Sequence, residues 1–422
     1  MVSNKNLSEK FNNLIGSEII RLSREINKLI KEGHKIYNLT IGDFDPAIYP
    51  IPKKLLKLIK KNYQYYTNYP DSQGDLELRK LLSMKKSNID ISYNEKEILI
   101  SNGARSLIYA IFQAIVDPGE KVIYSIPSWN NNHYTYLVQG KAVEIQTQPE
   151  NNFLLTVDDL KKCMTDNVVL ISLCSPQNPT GTEFDTEQLN KIFEYICNIN
   201  KERTQKNLKP VYILFDNIYS ELSNNQNEKW RIEGLKDYLF IIDGVSKNMA
   251  ATGLRIGWCY SNEFLCGQLK KFLSHIGAWA PHPEQVALRK YFEKFALKKD
   301  NKYSKSFHEK IKNNLEYFYE KLVQLKDQKY PIDVIKPTGA IYLTVKIDLI
   351  NKEYQNKKIK TIDEITEFLI KEANIALVPF KAFGVKNSEP WFRLSIGTIK
   401  KSDIKPIVNH LKQALDKLND KE

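Results

Sequence analysis

A chain of 422 residues, 42% of them hydrophobic, is too long for one ordinary core and too apolar for disorder, so two or three packed domains are expected. The net charge is +12, but only nine of the 62 basic residues are arginine and the lysines are spread along the whole chain, as composition drift produces. A nucleic-acid surface concentrates basic charge on one element, so no nucleic-acid partner is expected. No run of about 18 apolar residues occurs, which argues against a membrane span. The start, MVSNKNLSEKFNN, is polar and lacks the apolar stretch of a secretory signal. Cys163, Cys174, Cys197, Cys259 and Cys266 are scattered without a CxxC pair. No metal site or disulfide framework is expected from them, and a reducing cytoplasm fits.

In chain order, residues 17–32 (SEIIRLSREINKLIKE) predict an amphipathic helix with Ser17 as N-cap and Gly33 as stop. A short extended run, 35–41, follows. From residue 95 onward, short apolar runs alternate with helical stretches. Strands are predicted at 97–101, 121–125, 141–145, 168–173, 211–216, 239–243 and 255–261. Runs apolar on both faces, spaced for crossover helices, indicate an α/β fold whose mostly parallel sheet of about seven strands is covered by helices. Asp117-Pro118-Gly119 reads as a turn between a helix and the next strand. After residue 300 the order is helix, strand, helix, strand, helix, with strands at 340–347, 375–379 and 391–396. That predicts a smaller α+β domain completed by the N-terminal segment. The expected division is 51–300 for a large domain, and 1–50 with 301–422 for a small one.

Ligands of an open parallel sheet bind at the carboxyl ends of its strands. SNGAR (101–105) opens a helix there, and its N–H groups suit a phosphate, although Gly103 also suits a plain tight turn. Trp129 follows the second strand and reads as core or as a site aromatic. In SPQNPTG (175–181), Asn178 is a turn former or a ligand contact. Asp216 ends the strand VYILFD, where a carboxylate needs a partner or caps a helix. GVSKNMAATGLRIGW (244–258) takes Lys247 from an apolar strand into a loop of small residues. Desolvation there lowers an amine pKa and suits a Schiff-base lysine, with Ser246 and Arg255 beside it for a dianion. In so lysine-rich a chain, a surviving arginine marks a place where a planar fork is needed.

These motifs occur with others in a recognisable order: LTIGDFDP (39–46), YPDSQGDLELR (69–79), SNGAR, IPSW (126–129), SPQNPTGT (175–182), DNIYSEL (216–222), GVSKNMAATGLRIG, PTGAIYL (337–343), VPFKAFG (378–384) and WFRLSIG (391–397). From about residue 36 to 417 the chain resembles the class I/II aminotransferases, pyridoxal-phosphate enzymes of the aspartate-aminotransferase fold. The resemblance implies that Lys247 carries pyridoxal 5'-phosphate and moves the substrate proton, and that Asp216 pairs with the pyridine nitrogen. It implies contacts to the ring from Tyr219, Asn178 and Trp129. It implies a phosphate held by Gly103, Ala104, Arg105, Ser246 and Arg255, with Tyr69 reaching in from the other subunit of a homodimer. Arg393 is implied as the clamp on the substrate α-carboxylate, with Asn178 and Trp129 also at the substrate and Gly42 on a segment closing over it.

The implied reaction is amino transfer between an amino acid and a 2-oxo acid, with aspartate and glutamate as donors and 2-oxoglutarate as acceptor. A β-lyase, a decarboxylase or a cyclopropane-forming synthase on the same fold retains the same cofactor residues. A regulatory DNA-binding relative is disfavoured, because only about 35 residues precede the resemblance. Two departures stand out. Phe380 occupies a position that is usually Gly. The stretch 274–285 has no arginine for a second substrate carboxylate, which leaves a lysine or a histidine such as His282 as candidate.

Overall fold

Runs that are apolar on both faces can be buried only in a sheet covered on both sides, and they build one. The computed structural model describes residues 7–85, 92–225, 234–296, 302–386 and 389–418. Its strands in chain order are β1 Tyr37–Asn38, β2 Ile98–Ser101, β3 Lys121–Ile126, β4 Lys141–Gln146, β5 Val168–Cys174, β6 Tyr212–Asp216, β7 Leu239–Gly244 and β8 Gly257–Tyr260. They continue with β9 Ile332–Ile335, β10 Tyr342–Ile347, β11 Glu353–Tyr354, β12 Lys357–Lys358, β13 Ile375–Ala376, β14 Val378–Pro379 and β15 Trp391–Ser395.

The larger sheet has seven strands in the order β2-β8-β7-β6-β5-β3-β4. This is the α/β class and strand count expected from the sequence. It is parallel except for β8, which runs antiparallel to both β2 and β7. That reversal matters for the site. It brings the beginning of β8, just after Arg255, beside Ser101 at the end of β2. The adjacent strands β5, β6 and β7 all finish at this same edge. Helix Ala104–Ile115 packs Leu107, Ile108, Ile111, Phe112 and Ile115 onto the sheet at helical spacing.

The smaller sheet is antiparallel, in the order β14-β15-β10-β9. Its long covering helix, Lys302–Asp327, buries Phe307, Ile311, Leu315, Phe318 and Leu322 in a core shared with Val345 and Ile347. Two details differ from the sequence reading. Strand β9 was not foreseen, because a four-residue run with two partly buried positions is too short to show a period. The run 375–379 is not one strand but two. Ile375 and Ala376 pair in parallel with Tyr37 and Asn38, while Val378 and Pro379 pair with β15. This is how the N-terminal segment is tied to the smaller sheet.

The helix expected at 17–32 forms at Glu18–Lys31, with the Ser17 side chain accepting from the Ile20 N–H at 3.4 Å. Ile19 and Leu22 pack against Phe153, Phe380, Phe383 and Trp391. Phe380 is buried in this cluster, 5.3 Å from Phe153 between ring centres. The departure from Gly therefore builds a seat for the N-terminal helix. No helix among the described residues is long and apolar enough to cross a membrane.

Candidate active site

A cavity of about 560 Å³ opens where the carboxyl edge of the larger sheet faces β10, β15 and the N-terminal helix. Lys247, Asp216, Tyr219, Asn178, Ser246, Arg255, Ala104, Arg105, Trp129, Gly42 and Arg393 all line it. Gly103 lies at its edge, where a Cβ would come within 2.3 Å of the Arg255 guanidinium. Of the thirteen residues read from the sequence as site members, only Tyr69 lies elsewhere. It is 80% exposed, edge-on to Trp279 with ring centres 5.0 Å apart.

Lys247 sits in the short helical turn Val245–Asn248 directly after β7. Its Nζ donates to the Gly42 carbonyl at 2.5 Å. Burial lowers the amine to about 8, with Arg393 and Arg105 acting the same way and Asp43 opposing them. The turn is anchored from below. Asn248 Nδ2 donates to Asp243 Oδ1 at 2.8 Å. Asp243 also faces Lys85 at 3.4 Å, and Lys85 is 3.0 Å from Glu221. Burial opposes the Lys85 charge, but Asp243 and Glu221 together hold its pKa above the usual value.

Asp216 closes β6 with its carboxylate toward the cavity, where the Ile218 N–H donates to it at 3.2 Å. This is a local turn contact rather than a helix cap. Burial pushes the carboxyl up to about 6, and no cation lies within ion-pair distance of it among the described residues. A partly buried acid without a cation is a place for a positively charged ligand atom.

Arg255 adopts a left-handed conformation at φ 54° and folds back over the start of helix Ala104–Ile115. It donates to the Thr252 carbonyl at 2.8 Å and to the Asn102 carbonyl at 3.3 Å. Gly103, at φ 83°, leaves the space that Arg255 occupies. The unpaired N–H groups of the first helical turn, Ser246 and this guanidinium form a cradle for a dianion. Arg105 points elsewhere, with its guanidinium 4.4 Å over the Trp129 ring and covering one of its faces.

Arg393 is 2% exposed. It donates to Asn178 Oδ1 at 3.0 Å and to the Thr40 carbonyl at 2.5 Å, and it lies between the rings of Tyr342 and Phe383. Its Nε is buried with no partner among the described residues, so a donor is left for an incoming acceptor.

Several lining residues escaped the sequence reading. Tyr342 bonds Tyr219 through their hydroxyls at 2.6 Å, and Asp43 accepts from Thr252. They lie in PTGAIYL and LTIGDFDP, whose contacts are not visible in local spacing. Ser17, Ile19, Ile20, Ser23 and Arg24 also line the cavity, from a helix read only as amphipathic. In so lysine-rich a chain, Arg24 carries the same signal as Arg105, Arg255 and Arg393. Of the eight described arginines, four (Arg24, Arg105, Arg255 and Arg393) line this one cavity. His282 does not. It lies against the Asn68 carbonyl and Tyr66 outside the cavity.

A lysine, an uncompensated acid and a dianion cradle at the edge of a seven-stranded sheet define a fold shared with solved aminotransferases. An aspartate aminotransferase from Rhizobium meliloti matches with a TM-score of 0.86 at 23% identity, covering 98% of this chain and 100% of that one. The sequence profile of the aminotransferase class I and II family matches residues 34–411, so the chain belongs to that family and its reaction class is amino-group transfer. Among curated relatives, an aspartate aminotransferase of a Bacillus species is 27% identical, over 93% of this chain and 95% of the relative. A probable aspartate/prephenate aminotransferase of Rickettsia felis is 29% identical, over 93% and 92%.

Proposed function

We propose that this protein is a pyridoxal-phosphate-dependent transaminase whose amino donors are aspartate and glutamate and whose acceptor is 2-oxoglutarate. The observation that carries the reading is the meeting of Lys247, Asp216 and the Arg255–Gly103 cradle in a cavity that also holds Arg393. The residues fit the cofactor. Asp216 has no cation within ion-pair distance among the described residues and would pair with a protonated ring nitrogen, and Gly103, Ala104, Arg105, Ser246 and Arg255 would hold the phosphate. Tyr219, Asn178 and Trp129 would contact the ring. Pyridoxal phosphate, when bound, supplies an electron sink that stabilises negative charge at the substrate Cα.

The protein's own residues do the rest. Lys247 is the covalent attachment point and, once free, takes and returns the Cα proton. An amine near 8 is suited to that exchange at neutral pH. Arg393, already oriented by Asn178 and the Thr40 carbonyl, fixes the α-carboxylate and thereby aligns Cα. Gly42 holds the resting lysine through its carbonyl, and a Cβ there would lie 2.7 Å from the Tyr342 hydroxyl. In this reading residues 1–50 and 301–422 close over substrate held on 51–300. The names of the Bacillus and Rickettsia relatives support the dicarboxylate assignment. All five cysteines are free, which fits a reducing, cytoplasmic setting.

Tyr69 serves the neighbouring site of a homodimer in this reading. Tyr65, Tyr69 and Ile276 are exposed apolar side chains of the kind that a partner covers. Mixing inactive Tyr69→Ala and Lys247→Ala subunits tests it: activity returns in mixed dimers if the sites are composite, and stays absent if they are not. The reaction is tested by adding single amino acids to the purified holoenzyme and following the cofactor absorbance. Aspartate and glutamate are expected to discharge it fastest. Faster conversion by aromatic or aliphatic amino acids sinks the dicarboxylate assignment. Release of pyruvate and ammonia without an acceptor sinks transamination.

A further inference from the structure

Tyr219 and Tyr342 are buried phenols that line the cavity and meet from 123 positions apart in the chain. Tyr219 follows β6, and Tyr342 opens β10 of the smaller sheet. Their rings meet edge-on with centres 5.7 Å apart, and their hydroxyls lie 2.6 Å from each other. Burial pushes both phenols up, so each keeps its proton at neutral pH and only one can donate to the other. The direction has a consequence for the site. If Tyr342 donates, Tyr219 keeps its own O–H for a ligand in the cavity. If Tyr219 donates, its O–H is used up on Tyr342.

Two observations make Tyr342 the donor. The far side of its hydroxyl is closed by backbone, since a Cβ on Gly42 would lie 2.7 Å from it. The Tyr342 hydroxyl has no hydrogen-bond partner other than Tyr219 among the described residues. A proton turned away from Tyr219 would therefore face the Gly42 Cα. The second observation is charge. The Arg393 guanidinium lies 4.7 Å from the centre of the Tyr342 ring. Burial is the largest effect on each phenol, but the lowering by Arg393 comes next for Tyr342 and only after Cys174 for Tyr219. Cys174 acts on both phenols and Asp43 on Tyr342, each opposing ionisation. Tyr342 is the phenol that the cation makes more acidic, and the stronger acid of such a pair donates.

We propose that Tyr342 is a positioning residue: its hydroxyl donates to Tyr219 and so leaves the Tyr219 O–H aimed at the hydroxyl oxygen of the cofactor ring. This rests on the reading of the cavity as a pyridoxal-phosphate site in which Tyr219 contacts that ring. Tyr342 acts through Tyr219, because a phenol that accepts one hydrogen bond becomes a better donor of the next. The smaller sheet thereby supports the cofactor contact from the same pair of strands that carries Arg393.

The test is a pH titration of the cofactor absorbance in purified holoenzyme without substrate. Donation to the ring oxygen favours the deprotonated form, so losing the donor raises the midpoint. Tyr219→Phe should raise it by about one pH unit, a tenfold change in proton affinity. Tyr342→Phe should raise it by about half a unit, since the Tyr219 hydroxyl remains but is no longer aimed. In the Tyr219→Phe background, Tyr342→Phe should add nothing, because its route to the cofactor is gone. A downward shift in Tyr342→Phe overturns the proposal, since it shows Tyr219 donating to Tyr342. An unchanged midpoint overturns it, and so does an equal shift in both backgrounds. If Tyr342→Phe does not fold, a fluorotyrosine in place of Tyr342 decides. It keeps the hydrogen bond, makes the donor the stronger acid and should lower the midpoint, so an upward or absent shift overturns the proposal. Failure of the underlying reading looks different: the parent binds no cofactor, or Tyr219→Phe itself leaves the midpoint in place.

Discussion

The floor of the cavity and its mouth are built by opposite means. On the floor, Lys247, Asp216 and Tyr219 hang from the ends of buried strands, and Arg393 is locked by two hydrogen bonds and two rings. At the mouth, the helix Glu18–Lys31 buries only Ile26 fully, and Arg24 is partly exposed, with no ion pair among the described residues. The difference teaches where each task belongs. Proton transfer needs a lysine and an acid fixed to fractions of an ångström, which only a packed sheet edge supplies. The mouth is held more loosely, by a helix seated through Ile19, Leu22 and Ile26.

Substitutions can break this contrast or sharpen it. The largest effect is expected on the floor. Lys247→Ala should lower kcat by about ten-thousand-fold or more, because both the attachment point and the proton carrier are lost. Steady-state assays and cofactor absorbance together check this, since Arg255, Ser246 and Asp216 should still retain cofactor. Beneath the floor, Lys85→Met removes the cation that faces the buried Asp243 and the half-buried Glu221. Urea unfolding should show a loss of about 3–5 kcal/mol. A loss below about 1 kcal/mol means that the support under Lys247 is not electrostatic.

Arg393→Lys keeps the charge but not the fork. A fall of about 100-fold in kcat/KM is expected, with cofactor content nearly unchanged. A kinetic change no larger than that of Arg24→Lys, at the mouth, would erase the distinction between floor and mouth.

Asp216→Asn reverses sign between function and stability. Burial raises the folded pKa of this acid to about 6, so the folded state binds a proton more tightly than the unfolded one. The acid therefore destabilises the cofactor-free protein fully above about pH 6, and the penalty disappears below about pH 4. Cofactor-free Asp216→Asn should be more stable than the parent by about 1–3 kcal/mol at pH 7.5, with the gap shrinking toward pH 4.5. An equal gap at both pH values assigns the effect to packing instead. The smallest effect lies on the outer face of the N-terminal helix. Arg21 and Glu25 form an exposed pair, so Arg21→Gln should shift the melting free energy by less than about 0.5 kcal/mol.

The sequence by itself determined most of the floor. A lysine leaving an apolar run, an acid ending another and a Gly before a helix are local patterns, and each strand end carries its residue to the same edge. The N-cap at Ser17 and the reach of the N-terminal helix were also local. What the tertiary structure decided depends on contacts far apart in the chain. The antiparallel return of β8 sets Arg255 against Gly103, and only the fold brings Tyr342 to Tyr219 across 123 positions. The run 375–379 serves two sheets because its partners, residues 37–38 and 392–393, come from opposite ends of the chain. Which face of an amphipathic helix meets a cavity has no signature in its period. The pattern shows only which side is apolar, and it took Phe380, more than 350 residues away, to seat that side and turn Arg24 toward the site.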